Sequence, residues 1–336
     1  MIKKIIFEKK NNTGIITLNN TKSLNAIDLE MVELFLLKIK EWEKDDEIKR
    51  VLLKGNGKAF CAGGDVKSVF LSSGTNDLKR NFFNKEYKLN YAISKFNKPY
   101  LSIWDGIVMG GGVGLSIYGN ERIATENSKF AMPESAIGFF PDVGSSYFLS
   151  KIKNHIGVYL GLTGKILGAE EMIYFGLATN FQENKNIETF EKNYINNGLV
   201  SKSNMLKESN SELITNINFI NEIFSQDIKC IFKSLKNSNN EFAKKTYSIL
   251  ETRCPMSLIV TIELLSKAKN LSLKECLEME FQLSQKIVYR DDFNNGVETV
   301  LINKKNNHLW NPKTIYDINE SEVKDIFEFH TKKLGL

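Results

Sequence analysis

Histidine is nearly missing from this chain: three residues, at 155, 308 and 330, in a length of 336. A Ser/His/Asp triad or a histidine-ligated zinc site draws on that supply, so neither is expected. Cysteine is sparse too, standing at 61, 230, 254 and 276 with no C-x-x-C spacing. That pattern points away from a disulfide framework and toward reduced, buried thiols in a cytoplasmic protein. No apolar run approaches the roughly 20 residues that span a bilayer. The opening MIKKIIFEKKNNTG has too short an apolar stretch for a secretory signal, and it lacks the Arg- and Ser-rich character of a transit sequence. A large excess of one charge is also absent: 45 Lys+Arg against 40 Asp+Glu give +5. Spread over the chain, that is no basic stripe for nucleic acid, although it suits a small anionic partner.

What is present is ordinary for a globular chain, 42% hydrophobic and 25% charged, with room for two domains or one domain and an extension. Ile5–Phe7 and Ile15–Leu18 read as a hairpin around Lys10–Gly14. A helix follows with Asp28 as N-cap and Leu29, Val32, Phe35, Leu36, Ile39 and Trp42 as its apolar stripe. Val51–Leu53, Tyr100–Trp104, Arg122–Thr125 and Lys129–Met132 read as strands, and residues 78–95 as a helix. Beyond about 145 the strand signals fade and helical periods dominate. The order predicts an α/β core over residues 1–200 and a mainly helical region over 201–336 packing on it. The polar stretch 182–209 reads as a boundary or exposed excursion.

Several familiar motifs fail. G-x-G-x-x-G breaks at Leu115, the P-loop pattern breaks at Tyr159 and Ile166, and G-x-S-x-G around Ser146 breaks at Phe148. Cys61 has no base near it in sequence. Two glycine loops remain, Ala62-Gly63-Gly64 and Gly110-Gly111-Gly112, each after a strand. Loops of this kind can aim two backbone N–H groups at one oxygen, or they can be tight turns for packing. The run FAMPESAIGFFPDVG (130–144) places Glu134 and Asp142 just past proline-marked turns in apolar surroundings, where desolvation raises a carboxyl pKa toward acid–base use. Eight positions apart, they meet only if the chain folds back between them, and Asp142 can alternatively cap a helix beginning near Ser145.

KAFCAGGD (58–65), MGGGVG (109–114) and FAMPESAIGFFPDVG, with NTKSLNA (20–26) and Asp292-Phe293…Gly296-Val297…Trp310-Asn311-Pro312, together resemble the crotonase (enoyl-CoA hydratase/isomerase) superfamily. Within it they are similar to the 3-hydroxyisobutyryl-CoA hydrolase branch. The resemblance implies an α/β fold, a spiral of ββα units with a helical C-terminal region. It implies hydrolysis of a 3-hydroxyacyl-CoA thioester, as in valine catabolism. Its carbonyl would be held by the N–H groups of Gly64 and Gly111, with Glu134 and Asp142 catalytic and Glu86 a further substrate-binding position. Glu86 by its own neighbours reads as an exposed helix residue. No separate cofactor or metal is implied, since CoA belongs to the substrate. The expected partner is acyl-CoA, with no nucleic acid or membrane and a homo-oligomer compatible. Lys22 is the expected phosphate contact. Hydratases of the superfamily carry a glutamate where Gly114 stands here, which favours hydrolysis over an enoyl-CoA hydratase/isomerase or a silent acyl-CoA-binding subunit.

Overall fold

A computed structural model describes residues 3–72, 78–201, 211–305, 309–328 and 333–336. The chain divides into two compact units that interleave along the sequence. The first comprises Met1–Asp65, Lys88–Ala131 and Ile166–Ser211, and the second Val66–Tyr87, Met132–Lys165 and Glu212–Leu336. A single boundary at residue 200 therefore does not describe the chain, because two early stretches belong with the C-terminal helices.

Among the described residues, all the strands lie in the first unit. A six-stranded sheet has the order β1-β2-β3-β5-β7-β9, with β1 (Ile5–Lys10), β2 (Thr13–Leu18), β3 (Arg50–Gly55), β5 (Tyr100–Trp104), β7 (Glu121–Ala124) and β9 (Asn180–Phe181). A three-stranded sheet has the order β4 (Ala59–Cys61), β6 (Ile107–Met109), β8 (Lys129–Ala131). Among the described residues β1 and β2 pair antiparallel and every other strand pair is parallel. The pairs β3–β4, β5–β6 and β7–β8 each send one strand to each sheet, which is the spiral of strand pairs expected from the resemblance.

The hairpin turns on Asn11-Asn12, both at positive φ, the two-residue geometry whose twist suits a hairpin. Gly14 lies inside β2 instead of in the turn, because a Cβ there would meet the Trp42 ring at 2.6 Å. Trp42 ends the buried stripe of the helix Leu29–Lys44, which Asp28 caps by accepting from Met31 N–H at 2.9 Å. The strands are nearly continuous apolar runs because helices cover the sheet. One cover is the helix Ile187–Asn197, whose Phe190 and Tyr194 pack on Leu52, Leu101, Ile103 and Ile123. This corrects the reading of 182–209 as an exposed excursion over its described part, 182–201, where Ile187, Phe190 and Tyr194 keep helical spacing beneath a screen of Asn, Lys and Glu; residues 202–209 lie outside the described residues.

The second unit is helical. It includes the first part of the helix Leu78–Lys95, the turn Met132–Gly144 and the helices Ser145–Leu149, Pro255–Ala268, Leu273–Ile287 and Asp291–Val297. No helix among the described residues is long and apolar enough to cross a membrane.

Candidate functional site

In the first unit the two glycine loops leave the carboxyl ends of neighbouring parallel strands, β4 and β6, a usual place for ligands in open α/β sheets. They touch: a Cβ on Gly112 would lie 2.4 Å from the Cys61 carbonyl oxygen, and one on Gly63 would lie 3.9 Å from Gly111 N. Gly63 (φ 122°) and Gly110 (φ 47°, ψ −120°) need glycine for conformation as well as for space. The NTKSLNA segment braces the first loop. Leu24 and Asn25 sit at positive φ, Ala62 N–H donates to Leu24 O, and Ile27 N–H donates to Gly63 O. Asp65 N–H returns a bond to Ile27 O, so this bridge bypasses the Gly64 N–H. Gly111 is the first residue of a short helix, so its N–H has no intrahelical acceptor. Among the described residues neither N–H donates to another group. Two backbone donors on adjoining loops are thus left over, which is what an oxyanion hole requires and what packing alone does not.

Cys61 is fully buried, its thiol 3.6 Å from the Gly63 carbonyl, so it serves the loop and offers no accessible nucleophile. Lys22 is exposed in the single turn Thr21–Ser23. His155 meets Asn221 through Nδ1, while His308 and His330 lie outside the described residues.

In the second unit the chain does fold back between Glu134 and Asp142, with Gly138 at positive φ (73°) inside the turn and Val143 (56°) and Gly144 (80°) at positive φ just past Asp142. Val143 is the costly one, since a β-branched side chain at φ > 0 carries about 1–3 kcal/mol of strain. Glu86, Glu134 and Asp142 are all buried, at 2%, 7% and 6% exposure, and come together as one acidic cluster. Burial is the main cause that lifts each above the ordinary carboxyl range. The charge of Asp142 adds to the rise at Glu134, and Asp142 and Glu134 add to the rise at Glu86. Asp142 is lifted to about 7, its rise moderated by the Tyr87 hydroxyl, which donates to Oδ2 at 2.7 Å. Oε2 of Glu134 and Oε1 of Glu86 have no hydrogen-bond partner among the described residues. Unpaired buried oxygens are expensive, and at a site they are what a substrate or water completes.

Two readings from sequence are corrected here. Glu86 is buried and not exposed, because Phe82, Phe83, Asn90 and Ile93 share its helix face at spacings of three, four and seven. Asp142 caps no helix with its side chain: Gly144 occupies the cap position of Ser145–Leu149, and only the Asp142 carbonyl takes the Ser145 N–H.

Sequence reasoning passed over Tyr87 and Glu280. Glu280 is fully buried on the helix Leu273–Ile287, and burial raises its carboxyl to about 8. Its signal was available: it interrupts the apolar stripe Cys276, Leu277, Phe281, Leu283, Ile287, and a charge there needs partners.

The C-terminal motif backs the Glu134 turn. A Cβ on Gly296 would fall 2.4 Å from the Ile137 carbonyl carbon, and one on Gly138 would fall 2.3 Å from the Asp292 carbonyl oxygen. Phe139 packs between Phe83 (5.4 Å between centroids) and Phe293 (5.7 Å). Asp292 takes the Asn311 N–H at 2.7 Å, which fastens the Trp310-Asn311-Pro312 segment to the same helix. Among the described residues no cluster of acids, cysteines and histidines could hold a metal ion.

Comparison with known proteins agrees with this geometry. The family model described as enoyl-CoA hydratase/isomerase matches residues 13–327. The 3-hydroxyisobutyryl-CoA hydrolase, mitochondrial, of Xenopus tropicalis is 40% identical over 330 residues, covering 94% of this chain and 86% of its own. The Homo sapiens protein of the same name is 36% identical over 348 residues, covering 99% and 89%. Among solved structures, a carnitinyl-CoA dehydratase from Mycobacterium thermoresistibile is similar with a TM-score of 0.92 at 32% identity, covering 99% of this chain and 98% of that one.

Proposed function

The chain belongs to the enoyl-CoA hydratase/isomerase family, and from that membership we propose that it hydrolyses 3-hydroxyisobutyryl-CoA, or a close short-chain 3-hydroxyacyl-CoA, to the free acid and CoA. The observation that carries the reading is the state of Glu134: buried beside two other carboxyls, with one oxygen unengaged, and with no second acid at Gly114. The names of the curated relatives support the same substrate.

In this mechanism the Gly64 and Gly111 N–H groups receive the thioester carbonyl oxygen and stabilise the charge that grows on it. Each donor contributes about 3 kcal/mol to the transition state. Glu134 then acts by one of two routes. As nucleophile its carboxylate attacks the carbonyl carbon, CoA leaves as thiolate and takes a proton, and water hydrolyses the mixed anhydride. As general base it takes the proton of the attacking water, and the tetrahedral intermediate collapses to expel CoA. A single turnover in ¹⁸O water separates the routes, because only the anhydride route labels the Glu134 carboxyl. Assignment of the glycine donors and the carboxyls to one substrate comes from the family resemblance. Asp142 meets the 3-hydroxyl of the substrate, Glu86 completes the polar lining, and Lys22 contacts a CoA phosphate.

The likeness to a carnitinyl-CoA dehydratase favours one competing reading, addition of water to a double bond with Glu134 and a neighbouring acid as the pair. The test is thioester cleavage across hydroxylated, branched and plain acyl-CoAs, set against hydration of crotonyl-CoA, with Glu134→Gln as control. Hydration faster than 3-hydroxyisobutyryl-CoA cleavage would overturn the hydrolase assignment. None of the four cysteines forms a disulfide, which supports a reducing compartment such as the cytoplasm, whereas the relatives carry the word mitochondrial in their names. Cell fractionation tests that part.

A further inference from the structure

The turn that presents Asp142 is held by a carboxyl outside the reacting cluster. Val143 and Gly144 take consecutive positive φ values, which a β-branched residue keeps only where its surroundings enforce them. Glu280 supplies the enforcement. Its Oε2 accepts from Gly144 N–H at 2.6 Å, and its Oε1 accepts from Ser146 N–H at 3.0 Å and from Ser146 Oγ at 2.6 Å. The next residue on that helix, Phe281, lies edge-on to the Tyr87 ring with centroids 6.4 Å apart. Tyr87 in turn donates its hydroxyl to Asp142 Oδ2. One helix therefore grips Asp142 twice, through the backbone that follows it and through the tyrosine that orients its carboxyl.

We infer that Glu280 is a positioning residue for substrate selectivity: by pinning the Gly144–Ser146 backbone it fixes the Asp142 carboxyl where the 3-hydroxyl of the substrate binds. This rests on the role proposed above for Asp142. Glu280 does not itself touch substrate, since three protein donors occupy its oxygens. Glutamine does not substitute for it. An amide keeps one acceptor oxygen and turns an NH2 group toward donors that already point inward, so the turn must shift. A shift of about 1 Å at a recognition group is enough to cost on the order of a hundredfold in rate.

The experiment measures kcat/KM for 3-hydroxyisobutyryl-CoA and for isobutyryl-CoA in the wild type, Glu280→Gln, Ser146→Ala, Asp142→Asn and the pair Glu280→Gln/Asp142→Asn. The expected result is a fall of about tenfold or more in the ratio of the two values for Glu280→Gln, carried by the hydroxylated substrate. Ser146→Ala, which deletes one of the three bonds, lowers the ratio less, and Glu280→Gln adds no further loss of ratio to Asp142→Asn. If Glu280→Gln does not fold, Ser146→Ala carries the test. Equal losses on both substrates with the ratio preserved, while Asp142→Asn does lower it, would mean that Glu280 is merely structural and would overturn this inference alone. An unchanged ratio in Asp142→Asn would overturn the role of Asp142, and this inference with it.

Discussion

Alanine at Gly296 probes how tightly the Glu134 turn must be held. Gly296 is helical, so alanine is intrinsically favoured there by about 1 kcal/mol and any loss is steric. Its Cβ would stand 2.4, 2.5 and 2.7 Å from the carbon, oxygen and Cα of Ile137, all of them backbone atoms that no rotamer change can move away. Ordinary carbon contacts begin near 3.5 Å, so either the helix Asp291–Val297 or the turn Glu134–Ile137 has to retreat by about 1 Å. Overpacking of this kind costs about 1–3 kcal/mol of stability. Displacing Glu134 by the same distance is expected to lower kcat about a hundredfold. Release of CoA thiol, followed with a disulfide dye on 3-hydroxyisobutyryl-CoA, reads the rate, and a thermal melt reads the stability. Gly14→Ala is the control, because its Cβ would press on the Trp42 ring at 2.6 Å in the other unit. It should lower the melting temperature while kcat holds. A Gly296→Ala enzyme that is destabilised but keeps wild-type kcat would refute the argument that this helix sets the position of Glu134.

Other expectations concern charge and individual groups. Glu134→Gln should lower kcat by about 10²–10⁴, whichever route the carboxylate takes, as read in the same thiol assay. Glu134 must be ionised to act, and the Asp142 charge raises its pKa. Asp142→Asn should therefore move the acid limb of the kcat/KM profile to lower pH, and a limb that moves upward contradicts the coupling. Stability follows the opposite arithmetic. Glu86, Glu134 and Asp142 hold protons in the folded chain that the unfolded chain releases near pH 4. Their contribution is therefore complete below about pH 4 and is lost as pH rises through the folded values, about 7 for Asp142. Melting temperatures recorded from pH 5 to 8.5 should fall, and Tyr87→Phe, which removes the bond that favours ionised Asp142, should steepen that fall.

Much of the molecule was legible before any coordinates. The apolar runs of β2, β3 and β5, the Asp28 cap with the Trp42 stripe, and the order of strand pairs followed by helices are local or periodic signals, and they emerged where periodicity placed them. So did the two glycine loops and the acids at 134 and 142, because glycine and buried carboxylate are conspicuous residue types. What escaped was the environment of each group. Glu86 looked exposed because its own helix is polar on average, yet its face is apolar. The helix Ile187–Asn197 vanished among asparagines and lysines although Phe190 and Tyr194 are core. Glu280 looked like an ordinary helical acid in a chain with 40 acids.

Sequence alone thus determined which residue types this protein has to work with: no histidine machinery, no disulfide scaffold, two sets of backbone donors and a pair of acids at apolar turns. Tertiary structure decided their chemistry. A carboxyl becomes a base near neutrality only when burial strips its water and other charges crowd it, and those neighbours come from positions as far apart as 86, 142 and 280. Such contacts depend on how the turn folds back and on which helix closes against it, and neither is written in any local pattern of the chain.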